Sequence, residues 1–244
     1  MKALTVCVDY DDLLALTLPR NLQHLEEVLV VTAPQDERTK ALVEETRGAR
    51  CYITDAFYRG GAQFNKGAAV EEAFDQLGRE GWMCIIDADT LLPQAVSWPN
   101  EVGFIYSAPR RMCREQDKAV AAVETYDWSG FKLGSDGEPA GYLQVFHARD
   151  PAIAGARPWY GLGWKGANGC DSDFSARWGR KKWRSLPFEV LHLGDDNLNW
   201  WGRQTKRLDG EQPRDAELHH QTHQEFWKLR RENRNIDAER LPLK

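Results

Sequence analysis

An α/β fold built on a mostly parallel sheet is predicted from three observations. Apolar, strand-like runs alternate with helix-like runs over the first hundred residues. The connections between them are short, which favours right-handed βαβ units and a parallel sheet. The chain has 244 residues, 42% hydrophobic and 28% charged, which is ordinary for a globular protein and enough for a sizeable core.

The elements follow in order. Residues 3–8 (ALTVCV) read as a strand ending at Asp9 and Tyr10, and residues 12–25 as an apolar-periodic segment interrupted by Pro19. Residues 27–32 (EVLVVT) form a second strand and 36–48 a helix stopped by Gly48. Residues 50–54 make a third strand. The next helix spans 64–78, where Val70, Ala73, Phe74 and Leu77 share one face and Gly78 ends it. Residues 82–87 (WMCIID) are the fourth strand.

Beyond residue 100 the alternation loosens. Residues 101–109 and 141–148 read as strands around a loop-rich stretch carrying Arg110, Arg111 and Arg114. Residues 156–174 are rich in Gly and Trp and read as irregular. A helix opens within 173–179, a short strand covers 188–194, and the segment from Gly202 reads as a charged, helical or frayed tail.

Charge is uneven. The net charge is −5, yet residues 1–100 hold nine Lys/Arg against sixteen Asp/Glu, and residues 174–207 hold eight against three. The basic segment suits an anionic partner or a solvated surface. No apolar run is long enough to span a bilayer, and the first residues do not read as a signal peptide. Five scattered Cys without a CxxC pair predict reduced thiols and a cytoplasmic setting. Cys7, Cys51 and Cys84 are expected to be small core residues.

The most informative stretch is Asp87-Ala88-Asp89, two carboxylates ending an apolar strand. Like charges this close repel, and burial strips their hydration, so a fold that keeps them neutralises them, usually with a cation. They fall at the carboxyl edge of the predicted sheet, where such folds bind ligands.

Taken with two later stretches, Asp87-Ala88-Asp89 resembles the DxD motif of the GT-A family of glycosyltransferases. The segment GWKGANGCDSDFSAR (163–177) resembles the W-G-G-E-D-D-D…R segment of that family's galactosyltransferase-like branch. The segment EVLHLG (189–194) resembles its strand bearing a metal-binding His. The resemblance runs from about Leu4 to Gly194 and is nearest to family-2-like enzymes. It implies a GT-A-like, Rossmann-like sheet flanked by helices, with a mixed C-terminal acceptor region. It implies metal-dependent, inverting transfer of a sugar from a nucleotide-sugar, a UDP-sugar favoured, to an acceptor hydroxyl.

Roles follow from the resemblance. Asp89 would ligate Mn²⁺ or Mg²⁺ directly, with His192 as a further ligand, and Asp87 would reach the ribose or a metal-bound water. Imidazole suits Mn²⁺ better than Mg²⁺. Asp171 would be the catalytic base, and Cys170 stands where the family has Glu. Asp173 would be a helix N-terminal acid or an acceptor contact, and Asp36 would bind the base or ribose.

Other roles rest on the residues themselves. Tyr10 suits stacking on the nucleotide base. Asn65 and Lys66 precede a helix whose N-terminus suits the diphosphate. Trp159, Tyr160 and Trp164 suit stacking on an acceptor ring, with Arg110 and Arg111 beside them. The stretch RWGRKKWR (177–184) interleaves basic and aromatic residues as phosphate-backbone binding does, so the acceptor reading extends to a 5-hydroxymethylpyrimidine base in DNA. A saccharide or lipid-linked acceptor is the alternative.

Two other classes stand beside this one. A sugar nucleotidyltransferase would carry a Gly-rich basic loop after the first strand, which VDYDDLLAL lacks. A degenerate, non-catalytic nucleotide or nucleic-acid binding module would not need Asp89, Asp171 and His192 together. His219 and His223, four apart, suit a solvated tail helix better than a metal site. The expected division is a nucleotide-sugar-binding half (1–100), an acceptor-binding and catalytic half (101–201) and a charged tail (202–244).

Overall fold

The computed structural model describes residues 1–194 and 198–231. In chain order its elements are β1 (Lys2–Val6), α1 (Asp11–Asn21), β2 (Glu27–Thr32), α2 (Glu37–Glu45), β3 (Ala49–Ile53), α3 (Lys66–Leu77) and β4 (Trp82–Ile86). There follow β5 (Thr90–Leu91), β6 (Ile105–Ser107), β7 (Arg110–Met112), α4 (Gln116–Thr125), β8 (Lys132–Ser135) and β9 (Leu143–His147). The last are α5 (Cys170–Ala176), β10 (Trp183–Ser185), β11 (Val190–His192) and α6 (Ala216–Arg231).

Seven strands form the main sheet in the order β10-β6-β9-β4-β1-β2-β3. All run parallel except β9, which is antiparallel to both β4 and β6. The predicted α/β class, with a mostly parallel sheet between helices, is therefore met. Alternation along each strand feeds two cores. Leu4, Leu29, Val31 and Ile85 face one side with Val70 and Phe74 of α3, while Ala3, Val28, Val30 and Ile86 face the other with Leu14 and Leu18 of α1. Phe74 is fully buried and contributes about 2–3 kcal/mol of transfer free energy. Cys7 and Cys84 are buried as expected; Cys51 is exposed, because β3 is the sheet's edge.

The stretch expected to be loop-rich instead holds β7, α4 and β8, and a second sheet forms in the order β5-β11-β7-β8, with β11 inside the strand predicted at 188–194. Its strands have two to four residues, too short for a period of two to show in sequence. This sheet positions the site. The chain leaves β4, passes through Asp87–Asp89 and enters β5 at once, so the acid pair is the seam between the sheets. The small sheet then sets His192 beside the seam: His192 pairs with Thr90 across β5–β11, and Leu193 N donates to Asp89 O at 2.8 Å.

Residues 202–215, assigned by sequence to a charged tail, fold back over the carboxyl ends of β1 and β2. Arg203, fully buried, donates to both carboxylate oxygens of Asp12 and to Asp9 O. Arg207 makes a bidentate pair with Asp11 at 2.6 and 2.7 Å. Phe226 of α6 is buried against Trp200 and Trp201. Residues 232–244 of the expected tail lie outside the described residues. Among the described residues no helix is long and apolar enough to cross a membrane.

Candidate active site

A cavity of about 310 Å³ opens over the carboxyl ends of β1 and β4. Tyr10, Lys66, Asp87, Asp89, Asp171 and His192 line it, with Arg110 on a further wall. Seven residues scattered from 10 to 192 thus converge, and the fold supplies each: Tyr10 caps α1, Lys66 opens α3, Asp171 lies in the first turn of α5.

Asp87, Asp89 and His192 each offer a ligand atom, and these atoms lie within 4.8 Å of one another. His192 Nε2 is 3.5 Å from Asp89 Oδ1, while the buried His192 Nδ1 has no hydrogen-bond partner among the described residues. Two carboxylate oxygens and an imidazole nitrogen suit a divalent cation such as Mn²⁺, so the donor set fits the metal that the resemblance implies. Burial raises the Asp89 carboxyl above its ordinary range; the His192 ring opposes this and the Asp87 charge adds to it.

Lys66 sits between the two acidic groups. Its Nζ donates to Asp87 Oδ1 at 2.8 Å and lies 3.4 Å from Asp171 Oδ1. Burial by itself would drive the ammonium down, but Asp171 and Asp87 together hold it well above its usual value. It is a fixed positive charge. Burial also raises the Asp171 carboxyl, with Lys66 opposing.

Asp171 is held from several sides. Tyr160 Oη is 3.3 Å from its Oδ1, and burial followed by the Asp171 charge keeps that phenol protonated. The same hydroxyl contacts Gln144 Oε1, and Gln144 Nε2 donates to the Asp171 carbonyl at 2.9 Å. Gly141 lets the loop before β9 press against the group: a Cβ there would stand 2.2 Å from Asp171 Oδ2 and 3.1 Å from Lys66 Nζ. Neither residue was singled out from sequence. A Gln inside the apolar strand YLQVF was the available signal for Gln144, which is fully buried.

Several expected site residues take other roles. Asp36 does not line the cavity. Its buried carboxylate caps α2 through Thr39 N and also accepts from Asp9 N, at 2.8 Å, and from the Thr32 and Thr39 hydroxyls. Asn65 likewise caps α3 through Ala68 N and donates to Leu162 O. Asp36→Ala should therefore cost about 1–2 kcal/mol in denaturant unfolding; unchanged stability would mean that the cap adds nothing.

Of the residues expected to meet an acceptor, Trp159 and Tyr160 are fully buried. Trp159 packs edge-on to Phe74 and Phe146, and Tyr160 stacks on Phe174. Neither offers a face to a ligand, although Tyr160 reaches Asp171 through its hydroxyl. Trp164 lies against Gly67 and Gly169 outside the cavity, and Asp173 is exposed outside it. Arg110 lines the cavity with its guanidinium 4.3 Å from the Tyr142 ring centroid. Arg111, one residue on, turns away: it pairs with Glu189 and donates to Phe131 O.

The basic stretch 177–184 also stands apart. Arg180–Lys182 precede β10, which runs parallel to β6, so they lie at the amino edge of the sheet, opposite the cavity. Trp200 and Asn168, by contrast, line the cavity and were not singled out. His219 and His223 do fall within one helix, α6, but no third ligating group joins them among the described residues.

No protein-family model and no curated protein matches the chain. Solved structures do resemble it. Glucosyl-3-phosphoglycerate synthase from Mycobacterium tuberculosis, in complex with Mn²⁺, uridine diphosphate and glucosyl-3-phosphoglycerate, is 12% identical with a TM-score of 0.47, covering 91% of this chain and 78% of that one. The inositol-1-phosphate CTP transferase from T. maritima is 6% identical with a TM-score of 0.47, covering 80% and 89%. The 4-diphosphocytidyl-2C-methyl-D-erythritol synthase from Anaerococcus prevotii is 11% identical with a TM-score of 0.42, covering 91% and 97%.

Proposed function

We propose that this protein is a divalent-metal-dependent glycosyltransferase of the GT-A kind, moving a sugar from a nucleotide-sugar, a UDP-sugar first, to an acceptor hydroxyl. One observation carries the reading: Asp87, Asp89 and His192 present ligand atoms within 4.8 Å of one another in the cavity that also holds Asp171. Asp89 and His192 would hold the cation directly, with Asp87 beside them. When bound there, the cation would neutralise the charge that grows on the diphosphate as it leaves.

The protein's own groups do the rest. Lys66, already protonated between Asp87 and Asp171, supplies a fixed positive charge at the diphosphate end of the cavity. Asp171 takes the acceptor hydroxyl's proton as that oxygen bonds to the anomeric carbon. The bond from that carbon to the diphosphate breaks with the electron pair leaving on phosphate oxygen, so the displacement is in line and inverts configuration. Tyr160 and the Gln144 contact hold the Asp171 turn in place. Tyr10, whose ring lies 4.7 Å from the Arg203 guanidinium, is the base-side wall.

In this reading residues 1–100 bind the donor and 101–201 carry catalysis and the acceptor, with the metal ligands taken from both. The acceptor proposal includes a 5-hydroxymethylpyrimidine in DNA. The five free cysteines fit a reducing, cytoplasmic setting.

Calorimetric titration of UDP with and without Mn²⁺ tests the reading. Wild type should bind UDP more tightly with Mn²⁺, and Asp89→Ala should lose about 100-fold in that affinity, roughly 2.7 kcal/mol. Absence of binding to UDP and GDP under both conditions would remove the transferase assignment.

A further inference from the structure

We infer that a single-stranded or locally extruded nucleic acid is held along the C-terminal half of α6, so that one nucleotide reaches the cavity past Trp200. The inference rests on the transferase reading for what happens inside the cavity; the surface itself rests on separate observations. Trp200 lines the cavity, and its ring centroid is 5.9 Å from that of Trp227, with 29° between the planes. The Arg230 guanidinium lies 5.2 Å from the Trp227 ring centroid. Aromatic and guanidinium planes therefore run from the cavity wall to the helix surface.

The helix face has the matching charge. Residues three and four apart share a face, which places His223, Trp227, Arg230 and Arg231 together. Glu225, two residues from Trp227, points to the opposite side. Arg230 and Arg231 are exposed, and Trp227 is half-buried. Planar rings for stacking beside fixed cations for phosphates are what a non-sequence-specific single strand needs. The sugar acceptor must also enter the cavity as one unpaired nucleotide, which a strand laid across α6 delivers and an intact duplex does not. The basic stretch at 180–182, on the opposite edge of the sheet, cannot do this.

The test is fluorescence anisotropy with a labelled, mixed-sequence single-stranded DNA and the full chain, without donor. Wild type should bind at about 50 mM salt and weaken steeply as salt rises. Arg230→Glu, an exposed change that leaves the fold intact, should weaken binding about tenfold and flatten the salt dependence. Trp227→Ala should cost about tenfold, with Trp227→Phe recovering most of it.

Three results would overturn the inference: no binding by wild type, Arg230→Glu binding like wild type, or an unlabelled polyuronate competing as well as DNA per unit charge. UDP titration with Mn²⁺ on Arg230→Glu separates the two readings. Normal UDP binding with no DNA binding in wild type removes this surface alone. DNA binding without UDP binding keeps the surface and removes the transferase.

Discussion

Asp171→Asn is expected to lower sugar transfer about a thousandfold while leaving Mn²⁺-dependent UDP binding unchanged. Asn has the shape of Asp but cannot accept the proton, and it also removes the charge that faces Lys66 at 3.4 Å. The donor end should change little, because Lys66 keeps its 2.8 Å bond to Asp87 and the Asp87, Asp89 and His192 side chains are untouched. Single-turnover transfer to the acceptor, paired with the UDP titration, separates the two effects. Turnover retained in the variant would assign the base elsewhere.

The second large effect concerns stability. Arg203→Ala should destabilise the fold by about 3 kcal/mol or more, because the buried Asp12 carboxylate loses its bidentate partner and keeps only the Leu208 N–H bond with Arg207 at 4.0 Å, and the Asp9 carbonyl loses its donor. For a chain of this size that lowers the melting temperature by roughly 10 °C. Asp12 adds a pH signature. Burial alone would raise its carboxyl, but the Arg203 hydrogen bonds and charge bring it below the ordinary range. A depressed carboxyl contributes stability that is present above its unfolded value, about 3.9, and disappears as pH falls through the lower folded value. The gap between wild type and Arg203→Ala should therefore narrow as pH falls from about 4 toward 2. Equal melting temperatures at neutral pH would mean that the clamp adds nothing.

The main sheet was legible because its first four strands and their helices are long enough to show their period, and each ends in a recognisable stop such as Gly48 or Gly78. The small sheet was not. Its strands of two to four residues hold no period, so although 188–194 reads as a strand, nothing in the sequence says which of the neighbours Arg110 and Arg111 faces the cavity. The acid pair, Lys66, Asp171 and His192 were legible from type and position, and geometry does bring them together. Asp36 and Asn65 misled because one side chain at a strand–helix junction serves equally as a helix cap or a ligand contact. Trp159 and Tyr160 misled because an aromatic pair beside glycines looks like a platform, whereas here both rings pack into the core against Phe74, Phe146 and Phe174. The Arg203–Asp12 and Arg207–Asp11 pairs were invisible, since nothing in a sequence ties partners almost two hundred residues apart.

That separation bears on synthesis. The Asp11 and Asp12 carboxylates are made well before their arginines, which follow 196 and 191 residues later. Leu198, Asn199 and Trp200, one wall of the cavity, also arrive late. A nascent chain halted after β11 would thus carry Asp87, Asp89 and His192 beside an unclosed, strongly acidic sheet edge. Contacts of such long range slow folding. The segment after β11 closes the cavity, so that wall should form only once the chain has been made through Trp200 and the two arginines.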